Sequence, residues 1–114
     1  MSNVLIVAEH LDGKLNAATA KCVSAAQALH HPASIDILVL AADPASVATQ
    51  AAQIAGVAKV LTVANAANAN AIAQMQAPQV AALAKGYSHV FGPSTTFGKD
   101  LMPCVAALLG VAQV

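Results

Sequence analysis

A chain of 114 residues amounts to one domain, large enough to remove about two-thirds of its unfolded surface from water. It is 58% hydrophobic but only 3% aromatic, so its core has to be closely packed Val, Leu, Ile and Ala. Five lysines balance five acidic residues with no arginine, which excludes a nucleic-acid reader, and 9% charged residues, against about a quarter usually, points to surface covered by another chain or domain.

Val4-Leu-Ile-Val-Ala8 is continuously apolar, as a parallel strand buried on both faces should be. Glu9 to Gly13 then makes a turn with Asp-Gly chemistry. Asn16 is the expected N-cap of a helix running to about Leu29, with Ala18, Cys22, Ala25, Ala26 and Leu29 inward and His30-His31-Pro32 ending it. Ile35 to Ala41 is the second strand, with Asp36 expected at its exposed end. Asp43-Pro44 starts a helix that runs to Ala55 and stops at Gly56. Val60 to Ala64 is the third strand.

The alanine- and asparagine-rich stretch from Asn65 to Ala77 shows no clean period, and its conformation is left open. Pro78 is then expected to start a short helix, Gln79 to Lys85, stopped by Gly86. The fourth strand, Ser88 to Phe91, delivers a turn at Gly92. The final helix begins near Asp100, or near Thr96 with a bend at Pro103. Val111 to Val114 reads as the approach to a fifth strand.

Strands alternating with helices predict a three-layer α/β domain with a parallel sheet in the order 3-2-1-4 and a truncated fifth strand. The turns after the first and fourth strands then meet at one crevice, where ligands favour open α/β sheets. Gly92-Pro-Ser-Thr-Thr-Phe-Gly-Lys-Asp-Leu-Met-Pro103 is the stretch of most interest, because a small-residue turn ahead of a helix can receive an anion. Gly92 and Ser94 would let a ligand or partner backbone approach.

Three segments together resemble the electron transfer flavoprotein alpha subunit family: Val-Ala-Glu-His-Leu-Asp-Gly-Lys-Leu (7–15), Ile-Ala-Gly-Val-Ala-Lys-Val-Leu (54–61) and the 92–103 stretch. The resemblance covers essentially the whole chain. It implies residues 1–114 as the amino-terminal domain of a two-chain electron carrier, with the adenine nucleotide α-hydrolase-like fold. It implies a beta subunit carrying a related domain packed face to face with this one. It also implies FAD held mainly by a carboxy-terminal domain absent from this sequence, with dehydrogenases as donors and a further electron acceptor. Relatives commonly carry Arg where this chain has Cys104, and a thiol cannot replace the bidentate ion pairing of an arginine. They also carry more charge in the 65–77 stretch.

The alternative is a stand-alone adenine-nucleotide-binding domain resembling universal stress proteins. Gly92, Ser94 and Thr95 would then supply donors, Lys99 a counter-charge, and Asp12 the other side of the crevice. The spacing is neither a P-loop nor G-x-G-x-x-G, Pro93 has no N–H, and Glu9 and Asp12 would repel an anion. A thiol enzyme built on Cys104 and His10 lacks a third group to orient the base. His10, His30, His31, His89, Cys22 and Cys104 never fall at the short paired spacing of zinc sites. Cys22 and Cys104 both fall in helices, as buried thiols in a reducing compartment do. No signal peptide or membrane span is read, so a bacterial cytoplasmic protein without its own catalytic site is expected. Phe97, in the glycine-bounded loop, is the candidate interface anchor.

Overall fold

The computed structural model describes residues 2–11, 13–28, 33–65, 68, 72–93 and 95–111. Among the described residues, six strands and four helices follow one another as β1 (Ser2–Val7), β2 (His10–Leu11), β3 (Lys14–Leu15), α1 (Ala18–Gln27), β4 (Ala33–Ala41), α2 (Ala45–Ala52), β5 (Lys59–Ala64), α3 (Ala73–Ala84), β6 (His89–Phe91) and α4 (Thr96–Leu109). The four long-range strands form one parallel sheet in the order β5-β4-β1-β6. This is the predicted 3-2-1-4 order, and the first and fourth strands of the sheet are neighbours.

Alternation along β1 divides the core. Val4, Ile6 and Ala8 face Cys22, Val23 and Ala26 of α1 and Val47 and Ala51 of α2. Leu5 and Val7 face Ala77 and Val80 of α3 and Leu101 and Val105 of α4. Both sheet faces are thus covered, which is why β1 and β4 carry continuous apolar runs. The inward face of α1 differs from expectation: Thr19, Cys22, Val23 and Ala26 are buried, while Ala25 is exposed. Asn16 performs the capping expected of it, its Oδ1 accepting from Ala18 N at 2.8 Å.

α3 is longer than predicted, and α4 takes the second of its two expected starts. α3 starts at Ala73, so Pro78 lies inside it rather than before it. Pro78 and Gln74, whose carbonyl loses its donor, are both exposed, and water can take the missing partner's place. α4 starts at Thr96 with Pro103 inside, again on an exposed position. Within the open 65–77 stretch, Asn68 is buried and exchanges two amide hydrogen bonds with Gln79, at 2.9 and 2.8 Å. Residues 66, 67 and 69–71 lie outside the described residues, as do Leu29, the His30-His31-Pro32 helix end and the 112–114 segment expected to approach a fifth strand.

Asp36 is the clearest correction. It is not at an exposed end but 3% exposed, on the α3–α4 side of β4. Its Oδ2 accepts from the Tyr87 hydroxyl at 2.5 Å and lies 3.8 Å from Lys59 Nζ. A carboxylate can be buried here because a donor and a cation reach it. Burial first, and then the hydrogen bond to Asp36, push the Tyr87 phenol up to about 12 from an ordinary value of 10.0. The folded value lies above the unfolded one, so the stabilisation is complete below pH 10 and is lost as pH rises from 10 through about 12. Tyr87 is the one tyrosine, and there is no tryptophan. Absorbance at 295 nm therefore follows it alone, and a folded-state midpoint near 10 would contradict this environment.

The helix α2 ends at Ala52, ahead of Gly56, which sits after a further turn with φ 92°. A Cβ there would also meet the end of Gln27, whose Nε2 donates to Ala55 O at 3.3 Å. Since Gln27 can swing away, the expected cost of Gly56→Ala is the left-handed backbone alone, about 1 kcal/mol by urea denaturation.

Candidate functional site

The turns after β1 and β6 meet at the carboxyl end of the sheet, as the topology requires. After β1 the chain forms a small hairpin, β2 against β3, with Gly13 at φ 74°. Two-residue strands cannot hold themselves together, and this hairpin is clamped from outside. Gln50 of α2 accepts from Leu15 N at 2.9 Å and donates to Gly13 O at 2.7 Å, and Ser46 Oγ donates to the same carbonyl at 3.1 Å. His10 Nε2 pairs with Leu40 O at 2.8 Å. Leu11, near the tip, is 76% exposed.

At the other turn, Gly92 and, in the first turn of α4, Gly98 are approached closely by the chain's own atoms. A Cβ on Gly92 would lie 2.6 Å from Met102 Sδ, and one on Gly98 would lie 2.8 Å from the carbonyl carbon of Pro93. The last turn of approach to α4 is therefore wrapped tightly onto its first turn. Thr95 is the N-cap, its Oγ1 accepting from Gly98 N at 3.4 Å. The same hydroxyl donates to Glu9 Oε1 at 2.7 Å. A carboxylate from the end of β1 thus occupies the positive end of the α4 dipole, where an anion would otherwise sit. Glu9 was expected to repel an anion nearby; the structure gives it the anion's place.

Of the candidate nucleotide residues, Gly92 and Thr95 come together here and Lys99 is exposed at the first turn of α4. Asp12 and Ser94 lie outside the described residues. The Phe97 ring is half-buried against the α3–α4 core. Cys104 is half-buried, and its thiol donates to Asp100 O at 3.5 Å along its own helix. His10 and Cys104 thus each bond to a backbone carbonyl, of Leu40 and of Asp100. Among the described residues no three of His, Cys, Asp and Glu gather as metal ligands, and no helix is long and apolar enough to cross a membrane.

Between α1 and the β6–α4 turn lies a cleft of about 420 Å³, lined by Lys21, Cys22, Ala25, Phe91, Pro93 and Thr95 among others. Its walls are mainly apolar, and burial pushes the Cys22 thiol up from its ordinary value. Residues missing from the sequence reading include Gln50, Ser46 and Thr19, which hold the first turn. Only an Asp-Gly between apolar residues hinted at the hairpin they clamp.

The model of the electron transfer flavoprotein domain matches residues 4–114. The chain belongs to the electron transfer flavoprotein family. It is 46% identical over 111 residues to the electron transfer flavoprotein subunit alpha of Pseudomonas aeruginosa, covering 97% of this chain and 35% of that one. It is 43% identical to the subunit alpha of Paracoccus denitrificans, covering 95% and 34%, and 34% identical to the mitochondrial subunit alpha of Arabidopsis thaliana, covering 98% and 32%. The chain thus spans about a third of the length of these relatives. In this electron transfer flavoprotein domain, Glu9 is bonded to the N-cap of α4, Gly98 packs on Pro93, and the cleft beside them is bordered by Pro93 and Thr95.

Proposed function

We propose that residues 1–114 form the amino-terminal domain of an electron transfer flavoprotein alpha subunit, a scaffold that docks a beta subunit and has no catalytic site of its own. The complete protein would accept electrons from dehydrogenases through FAD and pass them to an acceptor, in the bacterial cytoplasm. The observation carrying this reading is that the turn ahead of α4 already has the Glu9 carboxylate bonded to its N-cap hydroxyl. A phosphate at this turn would compete with the Glu9 carboxylate already bonded to the α4 N-cap, which disfavours a dinucleotide there. FAD is accordingly assigned to the part of the protein outside this sequence. A fifth strand after α4 fits the same assignment. α4 lies beside α3 on one face, and a right-handed crossover from β6 on that face leads to the free edge of β6.

Apolar side chains exposed on the outer helices also support docking: Ile72, Met75 and Leu83 on and just before α3, and Leu108 and Val111 on and just after α4. Co-purification with the beta chain of the same organism is expected to give a 1:1 pair by light scattering. Failure to pair would overturn the docking role. Absorbance at 260 nm beyond that of one tyrosine and two phenylalanines, in the isolated chain, would instead favour the nucleotide-binding alternative. Phe97→Ala is expected to weaken the pair at least fivefold in a titration; unchanged affinity would remove Phe97 from the interface.

A further inference from the structure

β5 borders the sheet with six residues, Lys59-Val-Leu-Thr-Val-Ala64, and holds neither proline nor glycine. All six pair in unbroken register with β4, so no bulge bends the strand away. Among the described residues β4 is its one strand partner. Border strands are normally guarded by proline, a bulge or a lysine set into the strand. The lysine of β5 stands at its very start, 3.8 Å from Asp36 Oδ2.

The ladder decides which groups this border presents. Ala64 is the register partner of Ala41, and Asn65 N donates to Ala41 O at 3.0 Å. Alternate residues of a strand turn their main chain to the same neighbour, so the odd-numbered residues of β5 face β4. The N–H and C=O groups of Val60, Thr62 and Ala64 therefore point outward. Side chains alternate too: Val60 packs on the α1–α2 core, Leu61 and Val63 on the α3–α4 core, and all three are only partly buried. The Thr62 side chain is exposed.

Such a strand is complementary to itself. Laid antiparallel about a two-fold axis at Thr62, two copies set Thr62 opposite Thr62, Leu61 opposite Val63 and Val60 opposite Ala64. Each pair shares one face of the joint sheet, as pairing demands, and the outward residues meet one another. No charged side chain opposes an apolar one, whereas an axis at Leu61 would set Lys59 against Val63.

We propose that β5 is a homotypic docking strand, which joins two copies of this chain by merging their four-stranded sheets across an antiparallel centre. The contact is isologous, so it closes as a dimer and consumes the border of both copies. It uses the main chain of β5 and none of the residues assigned above to the beta subunit.

Sedimentation equilibrium of the complete protein, over rising concentration, is expected to show two copies of this chain per particle, with or without a beta chain bound. Thr62→Pro removes an outward N–H and leaves the ladder to β4 intact, while Thr62→Lys sets like charges opposite one another at the axis. Each is expected to weaken pairing at least tenfold with an unchanged circular dichroism spectrum, and added salt should restore pairing in Thr62→Lys alone. Thr62→Cys reads the register: facing residues stand about 5.5 Å apart at Cα, so mild oxidation should link the two chains there, but not in Lys59→Cys. One copy per particle at every concentration would overturn the proposal, and so would pairing that neither Thr62→Pro nor Thr62→Lys weakens. Should Thr62→Pro fail to fold, Thr62→Lys, changed only at an exposed side chain, decides by itself.

Discussion

Gly98→Ala is expected to destabilise the domain by about 3 kcal/mol or more, although the same change at an ordinary helix position stabilises by about 1 kcal/mol. Gly98 is a buried residue in the first turn of α4, and any Cβ on it is driven into the Pro93 carbonyl group. A flexible side chain could turn aside, but a backbone carbonyl is held by the turn that contains it. Relief requires moving the 92–95 turn or the head of α4, and either breaks the Thr95 cap and its bond to Glu9. Urea denaturation followed by circular dichroism measures the loss. A midpoint at or above the parent's would show that the turn yields freely.

Tyr87→Phe is expected to cost about 2 kcal/mol, because it removes the hydroxyl hydrogen bonded to a buried carboxylate. Asp36 Oδ1 has no hydrogen-bond partner among the described residues, so Oδ2 would be left with Lys59 at 3.8 Å as its compensation. The cost lies in the stranded charge rather than in the lost ring oxygen. In an Asp36→Val background, the same Tyr87→Phe change should therefore be nearly neutral, and a double-mutant cycle measures the coupling. Equal losses in both backgrounds would mean that the phenol is held by packing alone.

Strand order was legible because it follows from apolar runs separated by helices, a signal that survives without side-chain detail. The burial of Asp36 was also legible in principle. In Ile35-Asp-Ile-Leu-Val39, a period of two places Asp36 on the same face as Leu38 and Leu40, and both faces of that run are covered. The charge drew the reading toward an exposed end, while the partner that makes burial tolerable stands 51 residues away. Pro78 misled for a related reason. A proline marks a helix start because no carbonyl there loses a donor; inside α3 the Gln74 carbonyl does, but it is exposed and water can serve it.

The turns after the first and fourth strands were expected to meet, and they do; what joins them was not legible. Glu9 and Thr95 stand 86 residues apart, and the sequence alone could not show that the carboxylate of one turn fills the head of the other. Gly92, interpreted as room for a visitor, is occupied by Met102, and Gly98, which drew no such reading, by Pro93. Small residues announce close approach; only the fold says what approaches.

The brevity of β6 has its own consequence. Three residues form the outer strand on that side of the sheet, and Pro93 follows almost at once. A chain with so few repelling charges has little else to deter a neighbouring molecule from stacking onto an open row of amides. Three residues offer too short a template for such growth, and the proline denies it a further rung. Cutting the strand short thus leaves little template at this edge of the described sheet, in contrast to the six residues of β5 at the other.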